Sequence, residues 1–435
     1  MAHNRSESIL PGALVRTELR YNSCFSIQKS TPQLQPATVR RARPAKSETL
    51  DTSNFGKLSQ ANIAESLKFL VVSSFSFASY ITVMRTDSAN HFEAYVQKFT
   101  ETDWQDAIST LSPSIHEVDR NAVAIWFRFY PLSLGEFLSA AADPEDSKRG
   151  LAMQGDFGLE SRIDTSHSFL YGHRYWKSVK LTIEGSAKEF KGENTDLADM
   201  IRQLAATAAK TPNVDTSLLF GITASGMMTL AQVGLAAFTA SAGEIVKPTG
   251  IMVKSPNAIV SARSKDDSQG MLGFLKTINK KFSVIHDEQR NLRFDIMNEQ
   301  EIASASANDR TQNWQEKDTR CWEGPVPVEC TSASCGTCWV GVLAGDDKLS
   351  EVARRERRAV KVFGYDQTDD PKPLIRLACQ AKAHGNVTIV IPPWNAVFGK
   401  KIYGNVDELE LEPVTTSAKA LREAVREAAA STTKE

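Results

Sequence analysis

Cysteine is scarce in this chain, six residues in 435, and that scarcity excludes a fold stapled by disulfides at this size. Neither sign of charge is in excess: 51 Lys and Arg face 52 Asp and Glu, a net charge of −1. Without a basic surplus there is no electrostatic case for nucleic acid, or for an anionic membrane surface, as a partner. The opening residues MAHNRSESILPGALVRTELR lack the apolar core of a secretory signal, because Arg16, Glu18 and Arg20 interrupt it. A glycine-rich phosphate loop ahead of a helix, a G-x-S-x-G elbow and an H-E-x-x-H helix are all missing, which leaves no motif for nucleotide binding or hydrolysis. These absences point to the cytoplasm or another reducing compartment.

The length exceeds one ordinary domain and suggests two or three. Residues 1–57 read as a flexible basic leader: the first 50 carry eight Lys and Arg against three Glu, and 30–53 hold three prolines with almost nothing apolar to bury. An organelle transit peptide is the alternative, and Glu7 and Glu18 weigh against it.

Residues 58–280 read as a mainly helical domain. Ile63, Leu67 and Leu70 share a helical face, and the apolar run 69–84 falls short of the roughly 20 residues that a bilayer requires. Phe92, Tyr95, Val96 and Phe99, then Trp104, Ala107, Ile108 and Leu111, recur at intervals of three and four, as on amphipathic helices. A further helix over 121–129 closes in the aromatic cluster Trp126, Phe127, Phe129 and Tyr130, read as core packing.

The charged, glycine-containing segment 143–165 reads as a long loop. Beyond it, Val179, Leu181 and Ile183 alternate like a half-buried strand. His167 and His173 raise a metal or haem reading, against which stands ordinary packing in an aromatic-rich region. A helix begins near Asp196. Residues 217–243 carry no charge and are long enough to span a bilayer. Gln232 and many small residues favour a buried helix there, with membrane association as the alternative. A short amphipathic helix is expected over 270–282.

The period then changes. Phe282 and Val284, the turn 287–291, and Leu292, Phe294 and Ile296 alternate as a β-hairpin. Further on, Cys330, Cys335 and Cys338 stand at C-x4-C-x2-C spacing, and Cys379 follows after a gap of 40 residues. Thiolates are soft anionic donors. Three at this spacing plus a distant fourth match the four-cysteine ligand set of a [2Fe-2S] centre, whereas the bare spacing also suits structural zinc. Cys24 and Cys321 are left over. The small residues between Cys330 and Cys338 allow a loop whose backbone N–H groups face sulfur, and Ser332, Ser334 and Thr337 either add hydroxyl donors or fill the loop.

Through these residues and their surroundings, 281–410 resembles the plant-type [2Fe-2S] ferredoxin family. The hairpin stands for its first two strands and EIASAS (301–306) for its first helix. PVPVEC leads into the cysteine loop, and WVGVLAG follows the third cysteine. LSEVARRERRAVKVFG resembles its LSxxEREA-like helix, LACQ surrounds the fourth cysteine, and VTIVIPP stands for the closing strand. The resemblance implies a β-grasp fold, a [2Fe-2S] cluster on Cys330, Cys335, Cys338 and Cys379, and one-electron transfer. The expected fold class is therefore α+β, a mainly helical N-terminal domain followed by a β-grasp domain, with a C-terminal helix over 411–435.

Three features depart from the family pattern. Ala333 stands where glycine is common, which carries a cost if that backbone needs positive φ. Residues 307–325 look inserted, and the gap before Cys379 is long. Lastly, 281–410 holds 17 Lys and Arg against 20 Asp and Glu, a mild balance. Arg354, Arg357, Arg358 and Lys361 are expected on one face of a helix, with Leu349, Val352, Ala353, Ala359, Val360 and Phe363 toward the core. That basic face suggests an acidic redox protein partner, with the chain serving as an iron-sulfur subunit docked in a redox complex. The competing readings are an oxidoreductase whose residues 58–280 hold a second cofactor or substrate, and a structural or redox-sensing subunit.

Overall fold

The computed structural model describes residues 90–192, 195–265, 280–365 and 370–403, with positions 421, 424 and 425. The leader, the helical face at Ile63, Leu67 and Leu70, the apolar run 69–84 expected as a buried strand or core helix, most of 270–282 and nearly all of the C-terminal helix lie outside the described residues. The described chain is mixed helix and sheet, an α+β protein.

The first helices form where the sequence places cap residues ahead of apolar periodicity. Asn90 caps α1 (His91–Gln97) by accepting from the N–H groups of Phe92 and Glu93. Thr100 and Asp103 form a reciprocal capping box on α2 (Glu101–Leu111). Next come α3 (Glu117–Phe129), α4 (Leu132–Ala140) and α5 (Pro144–Gly150), the last capped by Asp143, then a two-residue strand β1 (Gln154–Gly155). The loop expected over 143–165 therefore contains a helix and a strand. After 3-10 turns the chain forms α6 (Trp176–Glu189), α7 (Leu197–Lys210), α8 (Phe220–Ala240) and α9 (Pro256–Arg263).

Helix α6 corrects the strand expected around Val179. Val179 and Ile183 are fully buried while Leu181 is 59% exposed. A separation of four satisfies both a two-residue and a 3.6-residue period, so the intervening residue decides, and it faces water. Helix α8 is long and apolar enough to cross a membrane, yet most of that length is buried among α1, α3, α6 and α7. At Gly234 the backbone leaves helical geometry, with φ 81° and ψ 158°. The expected aromatic cluster is core: Trp126, Phe129 and Tyr130 are at most 1% exposed.

The sheet comes from the second half: β2 (Lys281–Asp287), β3 (Leu292–Met297), β4 (Trp339–Ala344), β5 (Ile375–Leu377) and β6 (Val387–Val390), in the order β3-β2-β6-β4-β5. The β2–β3 hairpin forms as expected, with Phe282 opposite Ile296 and Val284 opposite Phe294, all four side chains buried. β2 and β6 run parallel, and β4 is antiparallel to both β5 and β6. Short helices α10 (Ile302–Ser306) and α11 (Trp314–Lys317) precede the cysteine loop, and α12 (Arg354–Phe363) packs against β5. The chain then pairs β7 (Trp394–Asn395) with β1 and turns into α13 (Gly399–Tyr403).

Helix α3 lies directly on the sheet. A Cβ at Gly341 of β4 would come within 2.5 Å of Ile125, so only glycine permits this approach. Two polar ties join the same layers: Arg263 of α9 forms a buried ion pair with Glu288 beyond β2, and the Trp394 indole N–H donates to Phe129 O at 2.6 Å.

Candidate metal centre

The loop from Cys330 to Cys338 is held from three sides. Gly336 has φ 68°, and a Cβ there would meet Val397, Ala396 O and the Tyr365 hydroxyl at 3.2–3.3 Å, so the residue must be glycine for both reasons. Ala333 has φ 59°, the left-handed conformation in which a Cβ is strained. Tyr365 is fully buried. Its hydroxyl donates to Gly336 O at 2.9 Å, lies against Ala396 O, and accepts from Ala396 N–H at 3.2 Å. The loop is thus tied to the segment after β7. On the far side, Ala378 N–H donates to Cys338 O at 2.9 Å and the Gln380 amide donates to Thr331 O at 3.0 Å, which brings the Cys379 segment onto the loop.

Helix α12 positions that segment from behind. It begins at Arg354, five residues later than the sequence match starts, and its one acidic residue turns inward. Glu356 and Arg376 are each 1% exposed and joined through two bonds of 2.8 and 2.9 Å. Glu356 also accepts Leu377 N–H at 2.8 Å, and Arg376 donates to Ser350 O. Ala359, Val360 and Phe363 are buried as expected and Arg354 is exposed, but Ala353, expected toward the core, is exposed at the helix start.

All four expected cysteines are free thiols. Cys330, Cys338 and Cys379 are buried and Cys335 partly so. They meet in two pairs, Cys330 with Cys335 and Cys338 with Cys379. Accepting a hydrogen bond from Cys335 pulls the Cys330 thiol down to about 5, while the same bond pushes Cys335 up. Cys379 is likewise lowered by a bond from Cys338, which is itself held well above the usual thiol range. Loop dipoles favour the thiolates: the backbone N–H groups of Ser334 and Ser332 act on Cys330, and Ala333 N–H and the Gln380 side chain act on Cys379. The Ser332 and Thr337 hydroxyls reach Cys330 and Cys335, while Ser334 instead bonds Ser332. Among the described residues, no three His, Cys, Asp or Glu side chains gather where one metal ion would sit.

Cys321 stays outside these pairs. Its thiol donates to Pro325 O, and burial pushes it up to about 12. His167 and His173 do meet, with Nδ1 atoms 3.0 Å apart in the helical core. Val246 N–H donates to His173 Nε2 at 2.8 Å, so His173 carries its proton on Nδ1 and donates it to His167.

Comparison with protein-family models, with curated proteins and with solved structures found no match. Tyr365, Glu356 and Arg376 were not singled out by sequence reasoning. The only hint was a lone acid inside the basic run Arg354-Arg355-Glu356-Arg357-Arg358.

Proposed function

We propose that this chain is a one-electron carrier of the plant-type ferredoxin kind, with a [2Fe-2S] cluster held by Cys330, Cys335, Cys338 and Cys379. The observation that carries the reading is that the four thiols, three buried and Cys335 partly so, interact two by two, Cys330 with Cys335 and Cys338 with Cys379. Two thiolates per iron is the donor set of a dinuclear cluster, whereas tetrahedral zinc needs its ligands around a single point. The strand order β3-β2-β6-β4-β5, with its opening hairpin and parallel β2–β6 contact, supports a β-grasp reading of the second half.

The cluster, when bound, supplies a site that gains and loses one electron without bond rearrangement. The protein's part is to hold and tune it. Within each pair one thiol, Cys330 or Cys379, is biased toward thiolate while its partner holds the proton, so loading the ligand set must release the protons of Cys335 and Cys338. The N–H groups of Ser332, Ser334 and Ala333 are positioned to stabilise negative charge on sulfur, which raises a reduction potential. Tyr365 and the Glu356–Arg376 pair fix both halves of the ligand set. Exposed Arg354, at the start of α12, offers a contact for an acidic redox partner.

The test is anaerobic purification followed by metal and sulfide analysis. Iron and acid-labile sulfide in equal amounts, with a rhombic signal on reduction that disappears in Cys379→Ala, is the expected result. Stoichiometric zinc without sulfide would refute the reading.

A further inference from the structure

A second site lies away from the four paired cysteines, with Cys321 on its wall. Between the helical layer and the sheet, a cleft of about 750 Å³ is open to solvent, within the volume range of roughly 300–1,000 Å³ typical of small-molecule sites. Phe129, Tyr130, Phe169 and Trp314 line it with aromatic surface, and Leu343 and Ile389 add aliphatic wall.

The charged groups on this cleft are already committed. Arg162 pairs with Asp156 at 3.1 Å, Arg320 with Asp318 at 2.6 Å and Glu288 with Arg263 at 2.6 Å. Arg290 leans on Asp287 and Lys317 on Gln312. The buried cations Arg263 and Arg320 are held by carboxylates, so an anionic ligand gains nothing from them without breaking an internal pair, and the buried wall of the cleft favours a ligand without net charge. His286 differs. Its Nε2 is buried on the cleft wall with no hydrogen-bond partner, and burial holds the imidazole neutral by lowering its proton affinity. The Thr165 and Ser168 side chains also line the space.

We infer that this cleft binds a planar, uncharged conjugated ring carrying carbonyl oxygens, the chemistry of a quinone. The rings stack on such a ligand, and the His286 imidazole and the hydroxyls supply what its carbonyls need.

The cleft is also connected to the cysteines. Tyr365 lies close enough to Cys335 and Cys338 to feel their charge. It stacks on Trp339 at 4.0 Å between centroids, Trp339 meets Phe129 edge-on at 5.3 Å, and Phe129 is itself cleft wall, 6.0 Å from Phe169. This relay rests on the electron-transfer reading above. Reduction of a bound quinone to its hydroquinone would consume two electrons, each entering through the cysteine site from an external one-electron donor protein that is oxidised in turn, and two protons from solvent.

The probe is a fully substituted dimethoxy-dimethyl benzoquinone, which has no ring position open to thiol addition. Equilibrium dialysis against the full chain, with and without iron, should give saturable one-to-one binding in both forms. Ser168→Phe, which fills the cleft, should weaken binding at least tenfold. Thr165→Trp, an exposed position that tolerates bulk, should do the same with an unchanged melting temperature. Absence of saturable binding, or equal binding by a folded Thr165→Trp chain, overturns the site. In iron-loaded protein, oxidation of the reduced cluster by bound quinone should slow at least tenfold in Trp339→Leu at unchanged affinity, and an unchanged rate overturns the relay. A chain that binds the quinone but never holds iron and sulfide overturns the electron-transfer reading and upholds the ring site.

Discussion

Removing Glu356 is expected to be among the most damaging single changes to this fold. Its carboxylate is 1% exposed and meets three donors at 2.8–2.9 Å, two from Arg376 and one from Leu377 N–H. Glu356→Ala would leave a guanidinium that is itself 1% exposed without a counter-charge, and breaking a buried pair from one side costs about 3–5 kcal/mol. The pair's net worth is much smaller, because both charges were desolvated to make it. Glu356→Leu combined with Arg376→Met removes both charges and keeps the volume, so it should recover most of that loss. What remains is the orphaned Leu377 N–H, about 1–3 kcal/mol. Urea unfolding followed by tryptophan fluorescence on wild type, Glu356→Leu, Arg376→Met and the double variant closes the cycle. Cys379 stands two residues past Leu377, so the single variants should also lose metal-binding capacity. A Glu356→Ala loss below about 1 kcal/mol, or additive single losses, would refute the argument.

Four further outcomes follow. The folded His173 is lowered to about 4 from an ordinary 6.5, chiefly by burial, so below pH 6.5 the unfolded chain takes up a proton that the native chain refuses. Stability should fall by roughly 3 kcal/mol between pH 6.5 and 4, and His173→Gln should flatten that slope in pH-dependent denaturation. Gly336→Ala should cost about 1–3 kcal/mol and impair iron uptake, since strain and crowding coincide there. Ala333→Gly should be nearly neutral in thermal melts, because about 1 kcal/mol of relieved strain is offset by about 0.8 kcal/mol of lost methyl burial. Arg354→Glu should slow reduction by an acidic carrier at low salt and converge on wild type at high salt, and a salt-independent rate would count against docking there.

The hairpin was legible because Phe282, Val284, Phe294 and Ile296 alternate strictly on either side of a turn whose Asn291 takes a positive φ of 54°. The four cysteines were legible because ligand spacing is local for three of them. Their grouping two by two was not, since Cys379 reaches Cys338 only through tertiary contacts made by Leu377, Ala378 and Gln380. Val179 misled because its apolar partner lies four residues on, a spacing common to strand and helix. The inward turn of Glu356 was hidden inside a basic run whose Arg354 and Arg355 are exposed and whose Arg357 and Arg358 are partly so. Positive φ at Ala333 was visible only as a mismatch with glycine.

The pairing of β1 with β7 has a consequence for how the chain acquires its shape. Gln154 and Gly155 find their partners only in Trp394 and Asn395, some 240 positions further on. The last short strand therefore closes the first half, and the Trp394 indole N–H reaches Phe129 O at the same moment. During synthesis the helical layer must wait, with this edge unsealed, until nearly the whole described chain has emerged. Closure over so long a separation is slow. A fragment ending before Trp394 would keep the helices and the hairpin, and would lack the clasp that holds them against the cysteine loop.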